Sequence, residues 1–331
     1  MPARHRPAQR ELDAAGITGA GLRSAYLRCR ALHGSHGRTY FLATRLLRPA
    51  QRPAVHALYG FARWADEIVD APGDDRSAAV RRNQLDALEA TLDSAFRGTS
   101  PNPSAAAPLV MAVVDTSRRL GLEQRLFTAF LASMRMDTYR RAYPDYDSLY
   151  RYMYGSAGVI GLQMLPVLGI AGAQQEAAPA AEAMGVAFQL TNFLRDIGED
   201  LDRGRVYLPA DELGAFGVTR DLLVWCRRQN RTDARVRRAL AHLVARTRAV
   251  YRRATPGIGL LMPASRPCVR TAHRLYAGIL DQIERSDYDV LHRRVVVPAG
   301  ERLAIAAPAL GLAYAARTRD LVTGPSPGRG A

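Results

Sequence analysis

The stretch of sequence that decides the fold is Gln189-Leu190-Thr191-Asn192-Phe193-Leu194-Arg195-Asp196-Ile197-Gly198-Glu199-Asp200. Its polar members Gln189, Asn192, Asp196 and Asp200 follow one another at offsets of three, four and four residues. These offsets place the four side chains on one face of an α-helix. Apolar residues at helical spacing mark the neighbouring face, so a helix is predicted from about residue 180 to residue 203.

A second set of the same kind occurs much earlier in the chain. Tyr59, Arg63, Asp66 and Asp70 are spaced by four, three and four residues, and the helix that carries them is predicted to begin near Pro53 and to end before Pro72. Proline is well tolerated in the first turn of a helix, where its missing N–H costs nothing. The sequence therefore predicts two helices that each present an acidic ladder, defined as the Asp66–Asp70 pair and the Asp196–Asp200 pair with their polar neighbours.

Either acidic pair alone is more typical of a solvated helix face. Both pairs lie on long apolar helices, however, and like charges at positions i and i+4 destabilise a helix unless something compensates them. Magnesium is a suitable compensating ion, because it binds one or two carboxylates together with water and the oxygens of a phosphorylated substrate. Two facing ladders that hold Mg²⁺ around a diphosphate would assist its departure, and apolar helices would shelter the carbocation left behind.

Composition supports a helical core and argues against several functional classes. The chain has 331 residues, of which 48% are apolar and 7% aromatic, and no stretch shows the alternation typical of strands. All 46 basic residues are arginines, dispersed along the chain, so the formal charge of +15 indicates a solvated surface and no nucleic-acid partner is expected. The three cysteines are isolated, which is typical of a reducing cytosol, and no zinc-protease motif is present.

Residues 152–175 contain no charged side chain and are numerous enough to span a bilayer. Several glycines and Pro166 interrupt them, so a buried core helix that breaks near Pro166 is the better prediction. Linkers elsewhere are short, which predicts one helical domain over residues 21–317. Flexible segments are expected at residues 1–20 and 318–331.

Ordered motifs along the chain resemble those of the squalene/phytoene synthase family, and most closely the bacterial phytoene synthases. The matching motifs, from about residue 33 to residue 303, are His36-Gly37-Arg38-Thr39-Tyr40-Phe41, Asp66-Glu67-Ile68-Val69-Asp70, Tyr154-Gly155-Ser156-Ala157-Gly158, the Gln189–Asp200 stretch, Arg203-Gly204-Arg205-Val206-Tyr207-Leu208-Pro209, Leu275-Tyr276-Ala277-Gly278 and Arg293-Arg294-Val295. A DxxxD motif alone is weak, whereas this ordered set is specific.

The resemblance implies an all-α, single-domain isoprenoid-synthase bundle around a central cavity. It assigns the Mg²⁺ ligands, with Mn²⁺ as an alternative ion, to Asp66, Asp70, Asn192, Asp196, Glu199 and Asp200. It assigns diphosphate binding to Arg63, Arg205, Arg294 and Tyr40. It places Tyr154, Gln189 and Tyr276 as catalytic residues on the cavity wall near the reacting carbons.

The implied reaction joins two geranylgeranyl diphosphates head to head through a cyclopropylcarbinyl diphosphate and yields phytoene without NADPH. The final proton acceptor stays open between released diphosphate, water and a tyrosine. The implied location is the cytoplasm, with peripheral contact at the inner face of the membrane. Gly37 and Tyr40 differ from the residues of many relatives, and Ala142 from those of some, at positions that the resemblance places near the substrate channel.

Three alternatives remain at this stage. A squalene-type or dehydrosqualene-type enzyme would keep the fold and use farnesyl diphosphate, and a terpene cyclase would use a single prenyl diphosphate. The glycine pattern at Gly257 and Gly259 follows no predicted strand, so it gives no support to a dinucleotide fold. A noncatalytic arginine-rich protein that binds nucleic acid or anionic lipid would explain the charge but not the two ladders.

Overall fold

The computed structural model describes residues 5–70, 76–99 and 104–323, and over these residues the chain is all-α, as predicted. The described residues contain no β-strand, only two isolated bridges, Ala142 to Val206 and Ile170 to Leu261. The α-helices are α1 (His5–Ala14), α2 (Ala20–His36), α3 (Arg38–Thr44), α4 (Arg52–Asp70), α5 (Ala78–Phe96), α6 (Ala107–Leu120), α7 (Gln124–Asp137), α8 (Tyr146–Met153), α9 (Val159–Leu168), α10 (Gln174–Asp202), α11 (Ala210–Gly214), α12 (Arg220–Gln229), α13 (Ala234–Ala254), α14 (Arg266–Arg285) and α15 (Ala299–Thr323).

The two helices that carry the acidic ladders form the centre of the fold. Helix α4 packs against α2 and α6, and helix α10 packs against α9, α13 and α14. Helix α4 has nearly the predicted bounds. Helix α10 begins six residues earlier than predicted and continues through Pro179, which lacks an N–H and therefore leaves one carbonyl of the preceding turn without its helical partner.

Two apolar cores contribute residues to the wall of the central cavity. The N-terminal core is formed by buried residues of α1 to α7 and α9, and the C-terminal core by buried residues of α8 and of the helices from α10 to α14. Leu47 and Phe130 of the N-terminal core line the cavity, as do Met184 and Tyr276 of the C-terminal core. The single helical domain around a cavity is thus formed by two halves that meet at its wall.

The charge-free segment forms helical structure with a local irregularity. A π-helical turn, Tyr154–Gly158, separates α8 from α9. Pro166 lies inside α9, and the chain leaves the helix only after Leu168, where Gly169 adopts a φ of 73°. The predicted break therefore falls just beyond the proline, at the residue that tolerates a left-handed backbone. Within the described chain, no helix combines the length and apolar character that crossing a bilayer requires.

The N-terminal segment, predicted as a flexible head over residues 1–20, contains a helix that packs on the domain. Residues His5–Ala14 form α1, and its Leu12 is buried in the N-terminal core. Glu11 is buried, and its carboxylate oxygens lie 3.0 Å from the guanidinium of Arg30 and 2.9 Å from that of Arg52. Burial alone would raise the pKa of Glu11, but hydrogen bonds from His56 and Arg52 and the charge of Arg30 outweigh it and lower the pKa to about 2. These long-range ion pairs, which sequence spacing does not reveal, hold α1 on the domain.

The tail that was predicted to be flexible over residues 318–331 overlaps the last helix. Helix α15 runs to Thr323 and so includes the first six residues of the predicted flexible tail, 318–323. Residues 324–331 of that tail, like residues 1–4 of the predicted head, lie outside the described residues.

The π-helical turn depends on a glycine that allows two backbones to approach closely. A Cβ at Gly155 would overlap the backbone carbonyl of Ala129 and the hydroxyl of Ser133, both in α7. We predict that Gly155→Ala lowers the free energy of unfolding by about 1–3 kcal/mol, because neither α7 nor the turn has space to move. Urea unfolding followed by circular dichroism measures the change.

The matched control is Gly259→Ala, since a Cβ there meets nothing within 4 Å. Its effect should stay within about 0.5 kcal/mol. Equal stabilities for the two variants would contradict the close approach at Gly155.

Candidate active site

A cavity of about 670 Å³ lies between the two cores and is lined chiefly by α4, α9, α10 and α14. Its wall is largely apolar. The apolar lining residues include Leu47, Val55, Leu58, Phe130, Met134, Ile160, Met164, Leu165, Leu168, Ala177, Ala180, Ala181, Ile258, Leu261 and Val269. A concave, largely apolar surface of this kind suits a long hydrocarbon chain.

Both acidic ladders face this cavity. Arg63, Asp66 and Asp70 of α4 line it, and so do Gln189, Asn192, Asp196 and Asp200 of α10. The ladders are also close enough to each other for the charge of Asp70 to contribute to the raised pKa of Asp200. The prediction that the two sets share one cavity is therefore confirmed.

Arginines neutralise part of the ladder charge. Arg205 is 4% exposed and donates to the Asp70 carboxylate at 2.7 Å. Arg195 forms a two-point contact with Asp196 at 2.7 and 2.6 Å, and Arg294 lies 3.0 Å from the same carboxylate. Sequence reasoning assigned the compensation to a metal alone, since no basic residue occupies the fourth position after either acid. In the fold, arginines from other positions supply part of it.

The negative charge that the arginines leave uncompensated is reflected in the raised pKa values of two ladder carboxyls, Asp200 and Asp66. Burial, and then the charge of Asp196, raises the pKa of Asp200 to about 7. Burial likewise raises the pKa of Asp66, although Arg63 lies 2.8 Å away and opposes the change. Asp200 is buried and Asp66 is half-exposed, so like charges are crowded at the edge of the cavity in the free protein, and a divalent cation would relieve this arrangement.

The donor set fits a hard cation such as Mg²⁺. It consists of carboxylate and amide oxygens, and Asn192 Oδ1 is buried with no hydrogen-bond partner among the described residues. Over the same residues, no three His, Cys, Asp or Glu side chains converge into a ready-made metal site. Mg²⁺ commonly takes only one or two carboxylates and completes its shell with water and phosphate oxygens. The arrangement thus fits an ion that binds together with a diphosphate.

An aromatic group lies on the same cavity wall. Tyr40 stacks on Tyr276 with ring centroids 5.2 Å apart, and Tyr276 stacks on Phe188 at 4.5 Å. All three residues line the cavity. Aromatic faces carry partial negative charge, so this group can stabilise a cation that forms beside it. Tyr276 therefore has its predicted position, whereas Tyr40, predicted as a diphosphate ligand, is packed in the aromatic stack.

Tyr154 is not on the cavity wall, in contrast to the prediction. It packs against the N-terminal core, and Tyr152 lines the cavity in its place. Residues two positions apart on a helix differ by about 200° in direction, so one of the two must face away. The cavity face continues through Ser156 and Ile160 at steps of four residues. This phase, followed back along the sequence, could have identified Tyr152.

Three other predicted residues lie beside the cavity without lining it. Arg205 donates to Asp70, which lines the cavity. The half-exposed Arg294 lies 3.0 Å from the Asp196 carboxylate and 3.5 Å from the Glu199 carboxylate. Sequence reasoning missed Asp137, Arg195 and Tyr207, which all line the wall. Arg195 and Tyr207 lie within quoted motifs. Asp137 is a single acid at the end of α7, and no spacing pattern marks it.

A sequence model of the squalene/phytoene synthase family matches residues 33–301. The phytoene synthase of Arthrospira platensis is 38% identical over 84% of this chain and 90% of its own length. Phytoene synthase 3 of Zea mays, a chloroplastic protein, is also 38% identical, over 86% of this chain, and the match spans 65% of the maize protein. The crystal structure of a squalene synthase from Alicyclobacillus acidocaldarius superposes with a TM-score of 0.72 at 27% identity, covering 83% of this chain and 98% of that one.

The raised pKa of Asp200 predicts how stability depends on pH without metal. Its pKa rises from 3.8 to about 7 on folding, so between these values the folded protein holds a proton that the unfolded chain has lost. Stability from this group is present at low pH and is lost as the pH rises towards 7. We expect Asp200→Asn, measured by urea unfolding with a chelator present, to be more stable than the unsubstituted protein at pH 8 and to lose less stability between pH 5 and 8.

Asp202→Asn is the control on the same helix. The hydrogen bond from Arg227 lowers the pKa of this exposed carboxyl, so its removal should change stability slightly and in the opposite direction at pH 8. A pH dependence of Asp200→Asn that runs parallel to that of the unsubstituted protein would disprove the assignment.

Proposed function

The chain belongs to the squalene/phytoene synthase family, and we propose that it condenses two geranylgeranyl diphosphates head to head into phytoene, an early step of carotenoid biosynthesis. The observation that carries the proposal is the single apolar cavity onto which both acidic ladders open. Relatives that bear the name phytoene synthase cover most of the chain, which favours this product over squalene.

The depth of the cavity supports a long substrate. Ala180 and Asp196 both line it from α10 and are sixteen residues apart, which corresponds to about 24 Å along a helix. Small side chains at Ala177, Ala180 and Ala181 keep the remote part open. An extended prenyl chain can lie along this helix with its diphosphate between the ladders.

The diphosphate end is assigned to the ladders and their arginines. We assign Asp66, Asp70, Asn192, Asp196 and Asp200 as the residues that would hold Mg²⁺, with Glu199 at the rim. Bound Mg²⁺ supplies positive charge that stabilises the departing diphosphate. Arg63, Arg195 and Arg294 now pair with ladder carboxylates and lie within reach of phosphate oxygens. Guanidinium groups bind such oxygens in a two-point geometry.

The carbocation end is assigned to the apolar and aromatic wall. Tyr40, Phe188 and Tyr276 present ring faces to the cavity, and the surrounding aliphatic side chains exclude water. In the first half-reaction, the double bond of the second substrate adds to the allylic cation from the first, and loss of a proton closes the ring of a cyclopropylcarbinyl diphosphate. Loss of the second diphosphate then starts a rearrangement, and loss of a second proton leaves a central double bond. The apolar product must leave for a lipid phase, so contact with the cytoplasmic face of a membrane stays a prediction.

We predict that the purified chain, given geranylgeranyl diphosphate and Mg²⁺, forms phytoene with no NADPH added. Gas chromatography with mass spectrometry identifies the product, and a chelator should abolish its formation. A parallel reaction with farnesyl diphosphate tests chain length. Recovery of a C30 product alone, with no turnover of the C20 substrate, would overturn the substrate assignment.

Substitution of one carboxylate in each ladder tests the metal assignment. Asp66→Ala and Asp196→Ala should each lower diphosphate release on the order of 100-fold or more, since each removes an oxygen from the charge-stabilising set. Circular dichroism should show unchanged helicity. Asp202→Ala, on the same helix but paired with Arg227 at the surface, should release diphosphate at a nearly normal rate. Normal turnover in both ladder variants would count decisively against the assignment.

A further inference from the structure

Asp137 is a buried carboxylate on the cavity wall that belongs to neither ladder. It is the last residue of α7 and is 6% exposed. Its two oxygens accept hydrogen bonds from two tyrosines, Tyr152 at 2.7 Å and Tyr207 at 2.8 Å. All three residues line the cavity. The cavity wall therefore carries a carboxylate that is bonded to two phenols and lies within the space where the substrate would react.

The hydrogen bonds fix the direction in which each phenol proton points. Both hydroxyl protons are directed at Asp137, and the described residues donate no hydrogen bond to either phenol oxygen. The lone pairs of both oxygens are therefore free to accept a proton. The rings are held by aromatic packing. The ring centroids of Tyr207 and Phe193 lie 4.3 Å apart with an interplanar angle of 7°, and those of Tyr152 and Tyr207 lie 5.6 Å apart.

Burial allows Asp137 to take up a proton more readily than an exposed carboxylate would. Burial is the largest effect and raises its pKa to about 6, against the tyrosine hydrogen bonds and the charge of Arg205, which lower it. The ionisable groups that face it are Tyr152 from α8, Arg205 and Tyr207 from the segment after α10, Asp70 from α4 and Tyr143. Arg205 spans the gap to the first ladder by donating to Asp70 and to the Asp137 carbonyl, at 2.7 and 3.1 Å. Asp137 is thus ionised at neutral pH, and its carboxylate oxygens are bonded to the two tyrosines and not to a residue of either ladder.

We propose that Asp137, through the hydroxyls of Tyr152 and Tyr207, receives the proton that is lost when the final carbocation becomes the central double bond. This inference rests on the proposed function. The C–H electron pair of the cation becomes the second bond of the new double bond, and its proton binds to a phenol oxygen. That phenol passes its own proton to the carboxylate, so the tyrosine is unchanged, Asp137 becomes a neutral acid, and the proton later returns to water.

Asp137→Asn tests the relay with little change in volume. The amide replaces one acceptor oxygen with a donor and removes the charge, so the proton acceptor is lost. The full-length variant is assayed with geranylgeranyl diphosphate and Mg²⁺, and phytoene, C40 alcohols, the cyclopropylcarbinyl intermediate and free diphosphate are quantified. We expect diphosphate release to continue while the ratio of phytoene to C40 alcohols falls on the order of 100-fold, because a cation that cannot lose its proton persists until water enters the cavity and captures it.

Two results would overturn the proposal. One is an unchanged ratio of phytoene to alcohols at a normal rate, and the other is a parallel loss of all products, which a purely structural role would give. Tyr139→Phe is the control, because this exposed tyrosine just beyond α7 lies off the cavity wall, and its product ratio should match that of the unsubstituted chain.

The tyrosines provide a second test that does not depend on the folding of Asp137→Asn. Tyr152→Phe and Tyr207→Phe each remove one arm of the relay, and the double variant removes both. The double variant should show the same shift towards alcohols, and an unshifted ratio in it would refute the relay. If the unsubstituted chain makes no phytoene, the proposed function fails. If it makes phytoene and these variants do as well, only the relay fails.

Discussion

The repulsion between ladder carboxylates that face one apolar cavity is the constraint on which the rest of the structure depends. Asp66 and Asp70 repel each other along α4, as do Asp196 and Asp200 along α10, and burial strengthens both effects. Arg195 and Arg205 offset part of the charge. The offset is incomplete, as the raised pKa of Asp200 shows. The free protein therefore keeps an unfavourable charge distribution that a cation and a diphosphate can relieve together.

Close helix packing keeps this arrangement in place around an open space. Gly155 lets the π-helical turn contact the backbone of α7, and Gly185 lets α10 contact the carbonyl of Ala157 in the same turn. A Cβ at either position would separate the helices. The wall is therefore closely packed around the π-helical turn, although the bundle encloses an open cavity.

The sequence predicted the parts of the site that follow helical periodicity. The all-α fold, helix α4 and both ladders follow from offsets of three and four residues, and each of these features is present. The Asp70–Arg205 pair joins residues 135 positions apart, and no local pattern records such a pairing. The same limit explains α1, which is held by the long-range ion pairs of Glu11. The role of Asp137 is equally invisible in the sequence, because a lone acid gains meaning only from the two tyrosines that fold onto it.

Arg205 gives the site a further property, since one guanidinium touches both of its chemical regions. It binds the Asp70 carboxylate of the first ladder and the backbone carbonyl of Asp137 beside the tyrosine pair. When a cation takes over the charge of Asp70, the guanidinium loses part of its nearest counter-charge, and its positive field acts more strongly on Asp137. A stronger positive field favours the ionised carboxylate. A cation at the first ladder would thus favour the ionised form of Asp137, so Arg205 links the charge at the diphosphate end to the carboxylate that lies between the two tyrosines.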